Sequence, residues 1–240
     1  MKSRNVILGV VAGAFAALAA APAAGASTFS NPTPITTSGV IQGIGSPYPS
    51  PVVASGVPGK VSSVGVTVRG LTTNGVRALE LALVAPNGTA VEVLRRVGDA
   101  ATPVANVTYR VEDSALGQFP ATGGPPTASY KPTNYATAPP PAPANPFGSS
   151  CPIGTLYNPG PAAGSVPGTM AVFNGLEPNG TWSLCVINTL DGYAAQFAGG
   201  WSLDVAGATG QREAALKKCN KKKSKHKRRK CRKKAKKLPL

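Results

Sequence analysis

Residues able to do chemistry are few in this chain, and they are unevenly placed. Its 240 residues include a single histidine, His226, embedded in a run of lysines and arginines. No serine or cysteine elsewhere has an imidazole to activate it, which excludes Ser-His-Asp and Cys-His catalysis from the rest of the chain. There is no Gly-x-Ser-x-Gly elbow and no His/Cys spacing suited to a metal. Asp and Glu total 9, and no pair of them has a spacing that argues for general acid–base work. No catalytic residue, no cofactor and no small-molecule substrate is therefore expected, and the chain reads as a non-enzyme.

Positive charge is abundant, and it sits in one place. Between Ser27 and Gln211 there are 7 basic and 8 acidic residues, whereas from Arg212 to Leu240 there are 16 basic residues and only Glu213 is acidic. The formal charge of +16 thus belongs to the C-terminal segment and not to the body. The basic residues that present themselves for an anionic partner are Lys221, Lys222, Lys223, Lys227, Arg228, Arg229, Lys230, Arg232, Lys233 and Lys234. A block of like charge repels itself and is expected to be disordered alone. The partner it suits is an anionic polymer of the cell envelope or a membrane surface, where each Lys or Arg contributes ~1 kcal/mol. A nucleic-acid segment has the same composition.

Compartment follows from the other end. Met1–Arg4 is a short basic region, Val6–Ala20 is apolar, and Ala24-Gly25-Ala26 is a small-x-small cleavage site before Ser27. This is the pattern of a secretory signal, here 1–26, and it implies a secreted protein, extracellular or associated with the envelope. In an oxidising compartment Cys151 and Cys185 are expected to pair. Cys219 and Cys231 lie within the basic segment and either pair with each other or cross-link to another chain. Zinc is disfavoured there, because the flanking charge repels a cation.

The elements that carry these residues read as β-strands. Trp182, Leu184 and Val186 fall on one face of an alternating stretch, and Trp201, Leu203 and Val205 repeat the pattern. A period of two marks a strand with one buried face, and the two tryptophans, the only ones in the chain, are expected to anchor a single core. Further alternating runs are Val64, Val66, Val68; Leu79, Leu81, Leu83; Val91, Val93; and Val107, Tyr109, Val111. Pro86-Asn87-Gly88-Thr89 predicts a hairpin with a type I′ turn. Many short strands and 28 Gly plus 24 Pro predict an all-β sandwich or jelly roll over 27–208. Residues 114–168 break the pattern and read as a long Pro/Gly-rich loop, either functional or a passive excursion; the basic tail spans 209–240. Asn87, Asn106 and Asn179 match the N-glycosylation acceptor pattern, although Asn87 and Asn179 are better explained as turn residues.

Several of these stretches together resemble a known family. Gly59-Lys60-Val61 through Gly70-Leu71-Thr72, the Pro86–Thr89 turn, Asp113, Pro178-Asn179-Gly180-Thr181-Trp182-Ser183-Leu184 and Gly200-Trp201-Ser202-Leu203 are similar to the P domain, or Homo B domain, of kexin- and furin-type proprotein convertases. The resemblance implies a jelly-roll-type, galactose-binding-like β-sandwich that supports a subtilisin-like serine endopeptidase. It also implies calcium, for which Glu80, Asp113 and Asp191 are the matching acids, few against the six to eight oxygens a calcium site needs. Asp113 is expected instead to brace a loop by accepting backbone N–H bonds. The convertase catalytic domain has no counterpart, since the P-domain-like unit takes up the whole body. The leading expectation is a secreted, non-catalytic interaction or stabilising module retained at the envelope by its polybasic tail. The alternative is an accessory P domain acting with a separate catalytic chain, an exported protease.

Overall fold

The computed structural model describes residues 25–136, 146–161, 169–208 and 211–236. The signal segment 1–24, and with it the expected signal helix, lies outside the described residues. The described strands are β1 (Ala26–Asn31), β2 (Ile35–Thr37), β3 (Gly43–Ser46), β4 (Ser50–Ala54), β5 (Lys60–Thr73), β6 (Leu79–Val84) and β7 (Thr89–Arg95). They continue with β8 (Val104–Glu112), β9 (Ala128–Tyr130), β10 (Thr133–Asn134), β11 (Thr155–Tyr157), β12 (Gly180–Asn188), β13 (Ala195–Phe197) and β14 (Trp201–Ala208). Two helices follow, α1 (Gln211–Asn220) and α2 (Lys225–Ala235).

The body is an all-β sandwich. Its first sheet is built on the long β5, which pairs with β8 along one edge and with β14 and β13 along the other; β1 adds to β14 and β9 to β8. Its second sheet is built on β12, which pairs with β6 on one side and with β4 and β3 on the other; β7 adds to β6. β3 also pairs with β2, so the two sheets are joined at that edge.

Alternation decides which side chains meet. Val64, Val66 and Val68 of β5, Leu203 and Val205 of β14, Leu81 and Leu83 of β6 and Leu184 and Val186 of β12 belong to one buried cluster. Both tryptophans are fully buried in it, one from each sheet. Each indole N–H is satisfied, Trp182 by the carbonyl of Pro178 at 2.9 Å and Trp201 by Ser50 Oγ at 3.0 Å. Burial of an indole is favourable only with that donor paired.

The hairpin at Pro86–Thr89 forms, but with different turn chemistry. Gly88 alone takes a positive φ, 83°, and its N–H donates to Ala85 O at 2.9 Å. Pro86 and Asn87 are thus the central pair, and Pro86, whose ring fixes φ near −65°, cannot enter a type I′ turn. Asn87 Oδ1 accepts from Thr89 N at 3.1 Å.

The stretch 114–168 corrects the reading of a plain loop. Its described part carries β9, β10 and β11, which run parallel to β8 and β7. Phe119 stacks on Tyr130 with ring centroids 4.0 Å apart, and Phe147 is buried. This stretch covers the outer face of the second sheet, where Ala82, Val84, Ala90 and Ile187 form a second cluster with Phe147 and the Cys151–Cys185 bridge. Every residue of β6 is consequently buried, Glu80 included. The bridge closes 34 residues of chain, worth roughly 3–4 kcal/mol on the chain-entropy account.

Candidate functional site

The three acids put forward for calcium go to three different tasks. Asp113 accepts from Met170 N and Ala171 N, both at 2.9 Å, and so caps the 3₁₀ turn Met170–Phe173. Asp191 accepts from Ile41 N at 2.6 Å. Glu80 accepts from Arg95 Nε at 2.9 Å. Among the described residues no group of three or more His, Cys, Asp or Glu is placed to hold a metal ion. Each of the three carboxylates thus accepts from donors in a different part of the protein.

A polar row that the sequence did not single out crosses the first sheet. Cross-strand register aligns Thr28, Asp204, Gly65 and Glu112 on β1, β14, β5 and β8. Gly65 leaves a gap in that row, and Arg110 fills it. A Cβ at Gly65 would stand 3.1 Å from the Arg110 guanidinium. Arg110 pairs with Asp204 through Nη1 and with Glu112 through Nη2, the latter at 2.9 Å. Burial opposes the charge on Arg110, but hydrogen bonds and attraction from Glu112 and Asp204 outweigh it and raise its pKa. The row borders a cavity of about 230 Å³ that also touches Ala26, Asp113 and Met170. The arrangement is an ion network of one guanidinium between two carboxylates. Within it the Thr28 hydroxyl donates to Asp204 Oδ1.

A second network lies beneath 133–136 on the outer face of the other sheet. Arg95 bridges Glu80 and Glu92, donating to Glu92 Oε1 at 3.1 Å, while Asn134 Nδ2 donates to Glu92 Oε2 at 2.7 Å. Burial pushes Glu92 up to about 7, only partly offset by Arg95 and reinforced by the neighbouring charge of Glu80. Glu80 is likewise raised by burial, against Arg95 and Arg96. Sequence reasoning missed Glu92, Arg95 and Asn134. The one signal was two acids at the polar phase of adjacent strands, Glu80 and Glu92, with Arg95 three residues after Glu92.

The basic segment corrects another expectation, that of a disordered tail. α1 and α2 form a hairpin closed by the Cys219–Cys231 disulfide, whose Cα atoms are 5.4 Å apart. Arg232 reinforces the closure by donating to Asn220 Oδ1 through Nε at 3.2 Å and Nη2 at 2.7 Å. All ten basic residues named for an anionic partner are exposed. Cys219 and Ala235 are buried, Cys231 is partly so, and among the described side chains none of the hairpin belongs to either core cluster. The closing loop spans 12 residues, which stabilises by about 3 kcal/mol on the chain-entropy account. Arg232, Lys233 and Lys234 stand in the last turn of α2, where cations complement the helix dipole. The helical form thus rests on the cross-link and on local bonds, because charge repulsion acts against it. No described helix is long and apolar enough to cross a membrane.

No family profile and no curated protein matches the chain.

Proposed function

We propose that this chain is an exported, non-catalytic β-sandwich of P-domain type, held at the cell envelope by a basic hairpin that binds a phosphate-bearing polymer. The observation that carries the reading is the exposure of all ten basic side chains on a closed hairpin with one acidic residue in the whole of 209–240. The all-β body and the stretches that resemble the P domain support the first half of the reading, and the two disulfides are compatible with an extracellular location.

A polymer suits the hairpin better than a lipid surface. Helices that lie in a membrane interface present an apolar face with Leu, Phe or Trp. Besides Lys and Arg, α2 has only His226, Cys231 and Ala235, and its two apolar residues, Cys231 and Ala235, are withdrawn from full exposure. Its Arg residues add bidentate recognition of phosphate.

The test compares the full chain with one ending at Gly210 in a partition assay with isolated envelopes. The full chain sediments with envelopes at low salt and is released as salt rises, because exposed charges are screened beyond ~8 Å at physiological ionic strength. Equal partition of the two forms at low salt overturns the reading.

A further inference from the structure

The two disulfides sit in opposite surroundings. Cys151 and Cys185 are buried in an apolar cluster with Ala82, Val84, Phe147 and Ile187. In the other bridge Cys231 is partly exposed and lies between Lys230 and Arg232, and Cys219 follows Lys218. A cationic neighbourhood lowers a cysteine's pKa, stabilises the thiolate leaving group and draws in an attacking thiolate. The hairpin bridge is therefore the one a mild reductant reaches first.

That same bridge is what keeps the hairpin closed. Among the described residues the segment forms no apolar cluster of its own, and the buried side chains there are Cys219 and Ala235. Against closure stand 16 basic residues and one acid between Arg212 and Leu240. With the bridge cut, the Asn220–Arg232 hydrogen bonds still tie the helices, but they are solvent-exposed. Like-charge repulsion then favours the open chain. An open chain presents a lower charge density and pays the ordering entropy when it binds, whereas a closed one has paid it in advance.

We propose that the Cys219–Cys231 bridge is a redox switch on polyanion binding: closed, it holds a preorganised cationic surface for a phosphate polymer; opened by a dithiol, it releases that polymer. This rests on the retention reading above. In the step, a thiolate of the dithiol attacks Cys231 Sγ, and Cys219 leaves as thiolate and takes up a proton. The second thiol of the reagent then resolves the mixed disulfide and frees Cys231. The protein bridge gains two electrons and two protons, and the dithiol becomes a disulfide.

Linkage makes the relation reciprocal. If closure tightens binding tenfold, saturating polymer makes the bridge tenfold harder to reduce, a shift of about 30 mV for a two-electron couple.

The experiment uses the full oxidised chain and long-chain inorganic polyphosphate as probe. Graded dithiothreitol, alkylation and peptide mass mapping identify which bridge has opened, and the dissociation constant is measured at each step. Cys219–Cys231 is expected to open while Cys151–Cys185 persists, with binding about tenfold weaker at physiological salt. The double variant Cys219→Ser/Cys231→Ser, which keeps every charge, is expected to bind like the reduced form. Saturating polyphosphate is expected to raise the reductant ratio at the midpoint about tenfold. Equal affinity of oxidised, reduced and Ser-substituted chains overturns this inference alone. Failure of every form to bind at low salt overturns the retention reading and the switch together. Tighter binding to phosphatidylglycerol vesicles than to polyphosphate overturns the choice of partner.

Discussion

Asn134 donates its side-chain amide to Glu92 across 2.7 Å, although 42 residues separate them, and so fastens the stretch after β9 onto β7. The acceptor is a fully buried carboxyl whose pKa is raised to about 7. It shares Arg95 with Glu80, a second buried acid raised in the same direction. The groups facing it are therefore Arg95, Glu80 and Asn134, while Arg96 acts on Glu80.

Stability should depend on pH through this carboxyl, with a definite sign. A raised pKa means that the folded chain keeps a proton that the unfolded chain has lost. Between the ordinary value of 4.5 and about 7 the folded state binds more protons, so stability falls as pH rises. Below 4.5 the contribution is fully present, and above about 7 it is lost. The contribution is at most about 3 kcal/mol. Urea unfolding of the chain at pH 5 and at pH 8 should show a lower midpoint at pH 8, and Glu92→Gln should flatten that difference. A midpoint that rises across this range, in the wild type, would contradict the assignment.

Arg110 makes a different prediction. Its guanidinium lies over Gly65 between Asp204 and Glu112, and all three side chains are largely withdrawn from water. Removing one partner of a buried ion network leaves the others uncompensated, a loss of about 3 kcal/mol, at the low end of the usual range because the site retains some exposure. Arg110→Met is expected to lower the unfolding free energy by that amount, and Asp204→Asn in the same chain to restore part of it. Additive losses in the double variant would show that the two residues do not act as a unit.

Asp113 tests the calcium expectation directly. Its two carboxylate oxygens are spent on Met170 N and Ala171 N. Asp113→Ala should cost about 1 kcal/mol, the usual worth of such a cap. Added calcium should leave the melting temperature of the wild-type chain where it is. A rise in melting temperature with calcium, abolished by the substitution, would restore the carboxylate to a metal site.

Much of the fold was legible because a strand reports its own buried face. The alternation of Val64-Val66-Val68 and of Trp201-Leu203-Val205 requires no knowledge of the partner strand. The second face is another matter. Glu80 and Ala82 read as the wet side of β6, yet the 146–157 stretch and β10 cover that side, so both are buried. Nothing in the periodicity of β6 carries that information, since the cover comes from residues more than 50 positions away. The 114–168 stretch was unreadable for the converse reason. It has too few apolar residues to show a period, and its short parallel strands are held by backbone bonds to β7 and β8.

The charge division was determined by the sequence alone, because formal charge is a local count: a near-neutral body and a strongly basic end. Composition also determined the all-β character. What that basic end becomes was decided only in three dimensions. Twelve positions separate Cys219 from Cys231, and the α1–α2 turn brings their Cα atoms within 5.4 Å, where a covalent bond opposes the repulsion that the composition alone leaves unopposed. The same holds for Arg110 and Asp204, 94 residues apart, which meet because β14 and β8 flank β5 in a register that no local pattern records.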